Sequence, residues 1–134
     1  MIENKKIMIK AVEFYLKNMK QIKNEIQYRK ISGTDKGYIT INKPRKPIPY
    51  EEMESLFLCI SKTVGTFNST DKEFIKLRYE NGLTLDVVCG LMCKKRSKIY
   101  TMGLQITDKI LFDILMNDSA RKNLMNSTPK RYII

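Results

Sequence analysis

Apolar residues recur at threes and fours along most of this chain, a period that predicts helix and not strand. Ile7, Ala11, Phe14, Tyr15, Met19, Ile22 and Ile26 form one stripe and predict a helix over residues 3–29. Its opposite side holds Lys5, Lys6, Lys10, Lys17, Lys20 and Lys23, a solvated face on a helix docked by its apolar side. A second helix begins near Tyr50 or Glu51, just past Pro49, where acidic residues suit the positive end of the helix dipole. Met53, Leu56, Phe57, Ile60, Val64 and Phe67 are its buried stripe, with Cys59 at the edge. Thr70 and Glu73 then read as a capping box, with Phe67 and Phe74 stapling across a third helix that carries Ile75, Leu77 and Tyr79 and ends at Asn81-Gly82. The last long helix is expected from about Lys95 to Met116, with Ile99, Met102, Ile106, Ile110 and Ile114 inward. Gly103 inside it implies a bend or a closely packed neighbour, because a helix-interior glycine costs ~1 kcal/mol against alanine.

The period fails in two places. Residues 32–49 contain Pro44, Pro47 and Pro49, which cannot continue a helix, and read as a solvated linker in which Tyr38 to Ile41 alternates like a short strand. Beyond Asn117 the pattern fades into a basic, frayed tail whose end, Tyr132-Ile133-Ile134, could dock on the body. The expected fold is therefore all-α. An N-terminal amphipathic helix (1–31) and a Pro-containing basic linker (32–49) precede a helical bundle (50–116) and a basic C-terminal tail (117–134).

Within that bundle, Leu85, Val88, Cys89, Met92, Ile99 and Met102 fall at the first, fourth, fifth, eighth, fifteenth and eighteenth positions of a helix-turn-helix unit, the places its two helices must bury. The fifth must be small, and a buried thiol serves as a small hydrophobe. The positions left over on the second helix are Lys95, Arg96, Ser97, Lys98, Tyr100 and Thr101. Such a face can enter a major groove, where Arg and Lys pair with guanine edges and Ser, Thr and Tyr reach bases or phosphates. Lys94, and Thr84 at the start of the first helix, are expected to hold phosphates. In the linker, Lys43, Arg45 and Lys46 are candidate accessory contacts to DNA backbone.

The run from Asp71 to Tyr100 resembles the fourth conserved region of sigma-70-type initiation factors, through Leu77-Arg78-Tyr79, the Asn81-Gly82-Leu83-Thr84 turn and the two helices after it. With a helical N-terminal half in front, the layout is similar to that of the RinA/ArpU-type late-gene regulators of phages of Gram-positive bacteria. That resemblance implies a sequence-specific activator in the host cytoplasm, bound to double-stranded DNA and acting with host RNA polymerase. The acidic Glu51 to Glu54 segment is a surface that could meet the polymerase. The sequence departs from the family pattern at two positions. Lys94 stands where an aliphatic residue is usual, and can lay its methylenes over the apolar seam. Cys93 stands where glycine is usual, which predicts a turn more helical than the family's, since a non-glycine residue pays for positive φ.

Charge sharpens the picture. The chain carries 25 Lys and Arg against 14 Asp and Glu, with no His, a formal net charge of +11 that favours a polyanionic partner. Eight of the cations lie in residues 1–30 and four in residues 94–98. No stretch is long and apolar enough for a membrane span or a signal-peptide core, and an odd number of cysteines, 3, fits reduced thiols. Without His, a glycine-rich phosphate loop or a Cys-x-x-Cys pair, no catalytic centre, metal or cofactor is expected. Two further readings stay open: a phage protein that inhibits a host or defence protein through its basic helical surface, and a small terminase-type packaging component. The latter would place the DNA-binding unit before its assembly helices, the reverse of this order. A homodimer is compatible with one reading helix per chain.

Overall fold

The computed structural model describes residues 2–41, 47–126 and 132, and is all-α apart from one two-stranded ribbon. The N-terminal stripe forms two helices where one is expected, α1 (Ile2–Lys17) and α2 (Met19–Ser32). The break is Asn18, buried, with φ −117° and ψ 17°. Its side-chain amide donates to the Phe14 carbonyl at 2.8 Å, the local side-chain bond through which asparagine competes with helix continuation. α2 ends at Gly33 (φ 73°), whose amide donates to the Arg29 carbonyl.

Within the expected linker, the described residues 32–41 and 47–49 are largely exposed but are not wholly solvated, as their prolines would suggest. Tyr38–Ile39 (β1) and Ile48–Pro49 (β2) pair antiparallel, and Ile39, Ile41 and Ile48 lie in the core. Arg29 ties this segment back to α2. Its guanidinium is held by Glu25 at 2.9 Å and donates to the carbonyls of Lys36 (3.1 Å) and Tyr38 (3.2 Å). Lys43, Arg45 and Lys46 lie outside the described residues.

Pro49 leads directly into α3 (Tyr50–Gly65), which buries Met53, Leu56, Phe57 and Ile60 as its period requires. α4 (Ser69–Ile75) starts two residues earlier than the Thr70 capping box predicts. Asn68 is its cap, accepting from the Asp71 amide at 2.8 Å. α4 runs on into a π-helical turn (Lys76–Glu80), closed by the Asn81 amide on the Lys76 carbonyl and by Gly82 at φ 68°. α5 (Leu85–Met92) and α6 (Arg96–Met116) follow. The expected tail instead opens with a further helix, α7 (Asp118–Asn126), capped by Asn117, with Ala120 and Leu124 fully buried.

α3 is flanked by α6 and α7, and α1 packs against α6 and the π turn, so the N-terminal half shares one core with the rest. Tyr79 in the π turn donates to Glu13 on α1 at 3.1 Å, and Thr63 on α3 donates to Asp113 on α6 at 2.7 Å. Tyr132 is buried against Phe14 and Tyr15, its hydroxyl donating to Glu52 on α3. Among the described residues no helix is long and apolar enough to cross a membrane.

Candidate nucleic-acid interface

The unit formed by α5, its turn and α6 is built outward from two fully buried residues, Val88 on α5 and Ile99 on α6. Leu85, Cys89, Met92 and Met102, predicted to be buried, are packed against the core but only partly covered. Thr84 caps α5, its hydroxyl accepting from the Val87 amide at 3.4 Å. The turn is not the more helical one that a cysteine at position 93 predicts. Cys93 takes the left-handed conformation, φ 54° and ψ 44°. The Lys94 amide meets the Cys89 carbonyl at 3.1 Å and the Cys93 amide meets the Gly90 carbonyl at 3.3 Å, so the end of α5 is satisfied by a glycine-type cap without glycine.

Lys95 then stands extended (φ −65°, ψ 149°) as the residue before α6, with no side chain bonded to the first turn. Lys95, Arg96, Ser97, Lys98, Tyr100 and Thr101 are all exposed, while Lys94 is half-buried beside the seam. The free amides of a helix N-terminus, ringed by four cations, make a region of strong positive potential. Ser97, Lys98 and Thr101 are brought together on one groove of about 430 Å³, which Asp71, Met102 and Gln105 complete. Sequence reasoning missed Gln105, although it follows Thr101 at the next turn of the same face. It also missed the partner of Arg96, whose guanidinium reaches Asp86 on α5 at 3.0 Å with both side chains well exposed. That contact spans the turn between α5 and α6 at the surface.

No family model matches the chain, and no curated protein or solved structure matches it.

The acidic segment expected to meet a polymerase is mostly occupied within the fold. Glu52 is buried beneath Tyr132, and Glu54 pairs with Lys30 at 2.8 Å and accepts from Tyr50 at 3.1 Å. Burial first, then the Glu54 hydrogen bond, pushes the Tyr50 phenol up to about 12. Cys59 is buried, and desolvation followed by the Asp113 charge raises its thiol, the setting of an inert cysteine. Among the described residues no three His, Cys, Asp or Glu side chains come together as a metal site.

Proposed function

We propose that this protein is a sequence-specific regulator of transcription that binds double-stranded DNA by laying α6 in the major groove. The observation that carries the reading is the first two turns of α6. Five exposed polar side chains there, Arg96, Ser97, Lys98, Tyr100 and Thr101, project from a helix anchored by fully buried Ile99. A helix presented this way exposes its N-terminal residues to base edges, while Lys94, Lys95 and Thr84 lie where phosphates flank the groove. The resemblance to RinA/ArpU-type phage regulators adds the cellular setting, activation of late genes with host RNA polymerase. In this reading Arg96 exchanges its exposed pairing with Asp86 for bidentate pairing with a guanine.

The test is a pair of substitutions measured on tiled duplexes from the chain's own genomic neighbourhood, with random-sequence competitor at two salt concentrations. Arg96→Ala is expected to cost ~1–3 kcal/mol on the preferred site and to relax base preference there. Lys94→Ala is expected to weaken all sequences alike and to lower the salt slope by about 1. Equal loss on preferred and random duplexes for Arg96→Ala would remove its base-reading role.

A further inference from the structure

A second concave surface, on the other flank of α4 from the reading helix, is lined by lysines that the helix-turn-helix reading leaves without a task. It is a groove of about 1090 Å³ between the α1–α2 bend and the face made by α3, α4 and the π turn. Lys17, Lys20 and Lys23 line it from the bend, and Lys72 and Lys76 from α4 and the π turn. All five are exposed, and none takes part in an ion pair among the described residues. Of the two carboxylates on the groove, Glu25 is already held by Arg29, so Glu80 is the remaining acid against five ammonium groups. Like charges gathered in one concavity repel one another, and a polyanion relieves that repulsion.

Two observations say which polyanion. The apolar side chains of the groove, among them Leu16, Met19, Phe57, Val64 and Ile75, form its floor, while the five lysines stand exposed around it, so what a ligand meets first is positive charge. Its chemistry is charge spread over several helical segments, which suits a line of phosphates and not a single anion. Continuity supplies the second. Asp71 lines the groove beneath Ser97, Lys98 and Thr101, and its chain neighbour Lys72 lines the lysine groove. α4 thus separates the two surfaces by a single helix, a separation that one continuous polyanion can bridge.

We propose that Lys17, Lys20, Lys23, Lys72 and Lys76 form a second phosphate-contacting tract that extends the duplex footprint beyond the helix-turn-helix and makes the N-terminal helices part of the DNA-binding surface. The proposal rests on the duplex-binding reading above. It is tested with the full chain by comparing wild type, the variant Lys20→Ala/Lys23→Ala/Lys72→Ala/Lys76→Ala, and the variant Arg96→Ala/Lys98→Ala, on preferred and random duplexes between 50 and 200 mM salt. The exposed lysines are replaceable without loss of fold, which circular dichroism verifies. The four-alanine variant is expected to lose about 3–4 units of salt slope at ~0.9 per phosphate, with its preferred-to-random ratio unchanged. Trimming one helical turn from one end of the duplex is expected to weaken wild type and leave this variant unaffected. The Arg96/Lys98 variant is expected to keep steep, sequence-blind binding through the tract. A four-alanine variant with wild-type slope, beside a wild type that still prefers its site, overturns the tract alone. A wild type that binds no duplex overturns the reading helix and the tract together. Loss of binding to an acidic peptide with DNA binding intact assigns the groove to a protein partner and overturns the proposal.

Discussion

Cys93 shows what a single residue can conceal. A cysteine in the slot where glycine is usual predicts a helical turn, because a β-carbon in the left-handed region costs about 1–2 kcal/mol. The chain accepts that cost at φ 54°, since only the left-handed turn lets the Cys93 and Lys94 amides satisfy the carbonyls that end α5. The strain remains in the folded state and is open to measurement. Cys93→Gly is expected to stabilise the protein by on the order of 0.5–1 kcal/mol, the relief being partly offset by the greater freedom of glycine in the unfolded chain. Urea unfolding would show it as a higher midpoint at unchanged slope. An unchanged midpoint would mean that the strain is no larger than the ~0.5–1 kcal/mol entropic cost of glycine.

At the scale of elements, two glycines inside helices make opposite predictions. A β-carbon on Gly90 of α5 meets nothing within 4 Å, so Gly90→Ala is expected to gain up to ~1 kcal/mol from helix propensity. A β-carbon on Gly103 of α6 would sit 3.1 Å from Phe74 Cζ, and Phe74 is 1% exposed and packed edge-on against Tyr79, so it has little room to yield. Gly103→Ala is expected to destabilise by ~1 kcal/mol net, overpacking outweighing the propensity gain. Thermal melts of the two variants should move in opposite directions, and a rise in both would show that α4 and α6 can part. Gly103 left two explanations open in the sequence, a bend or a closely packed neighbour, and the nearness of Phe74 selects the neighbour. The long stripes of α3 and α6 were equally legible. The elements missed are those whose reason lies elsewhere in the chain. The bend at Asn18 depends on one side-chain bond, and β2, the partner of the short strand that the alternation at Tyr38 to Ile41 suggested, on a register between residues 9 and 11 apart. α7 buries only Ala120 and Leu124 on α3 and α6, too sparse a stripe to announce a helix by period. In the helix-turn-helix unit, the exposure of Lys95, Arg96, Ser97, Lys98, Tyr100 and Thr101 was recoverable from spacing. The Asp86–Arg96 pair and the lysine groove required knowing which helices touch.

For the whole molecule, the decisive contact is where the two ends of the chain meet. Phe14 and Tyr15 of α1, Glu52 of α3 and Tyr132 converge, with the Tyr132 ring 5.2 and 5.5 Å from those of Phe14 and Tyr15 and its hydroxyl 3.1 Å from that of Tyr15. Burial, then the neighbouring Tyr15 and the Glu52 charge, raise the Tyr132 phenol well above its ordinary range. Burial, then Glu13, does the same for Tyr79. The fold therefore binds these protons more tightly than the unfolded chain, whose phenols titrate near 10. The stabilisation is fully present below about pH 10 and is lost as pH rises from there toward the folded values, because the unfolded state releases its protons first. Melting temperature is expected to hold between about pH 7 and 9 and to fall above about pH 10. Tyr132→Phe separates this effect from the surface lysines, which titrate in the same range in both proteins and cancel in the comparison. The variant should be less stable at neutral pH by ~1–3 kcal/mol, since a buried Glu52 loses a donor, and its melting temperature should fall less steeply in alkali. Parallel pH profiles for the two proteins would show that Tyr132 titrates like an exposed phenol, and that the C-terminal segment does not close the core.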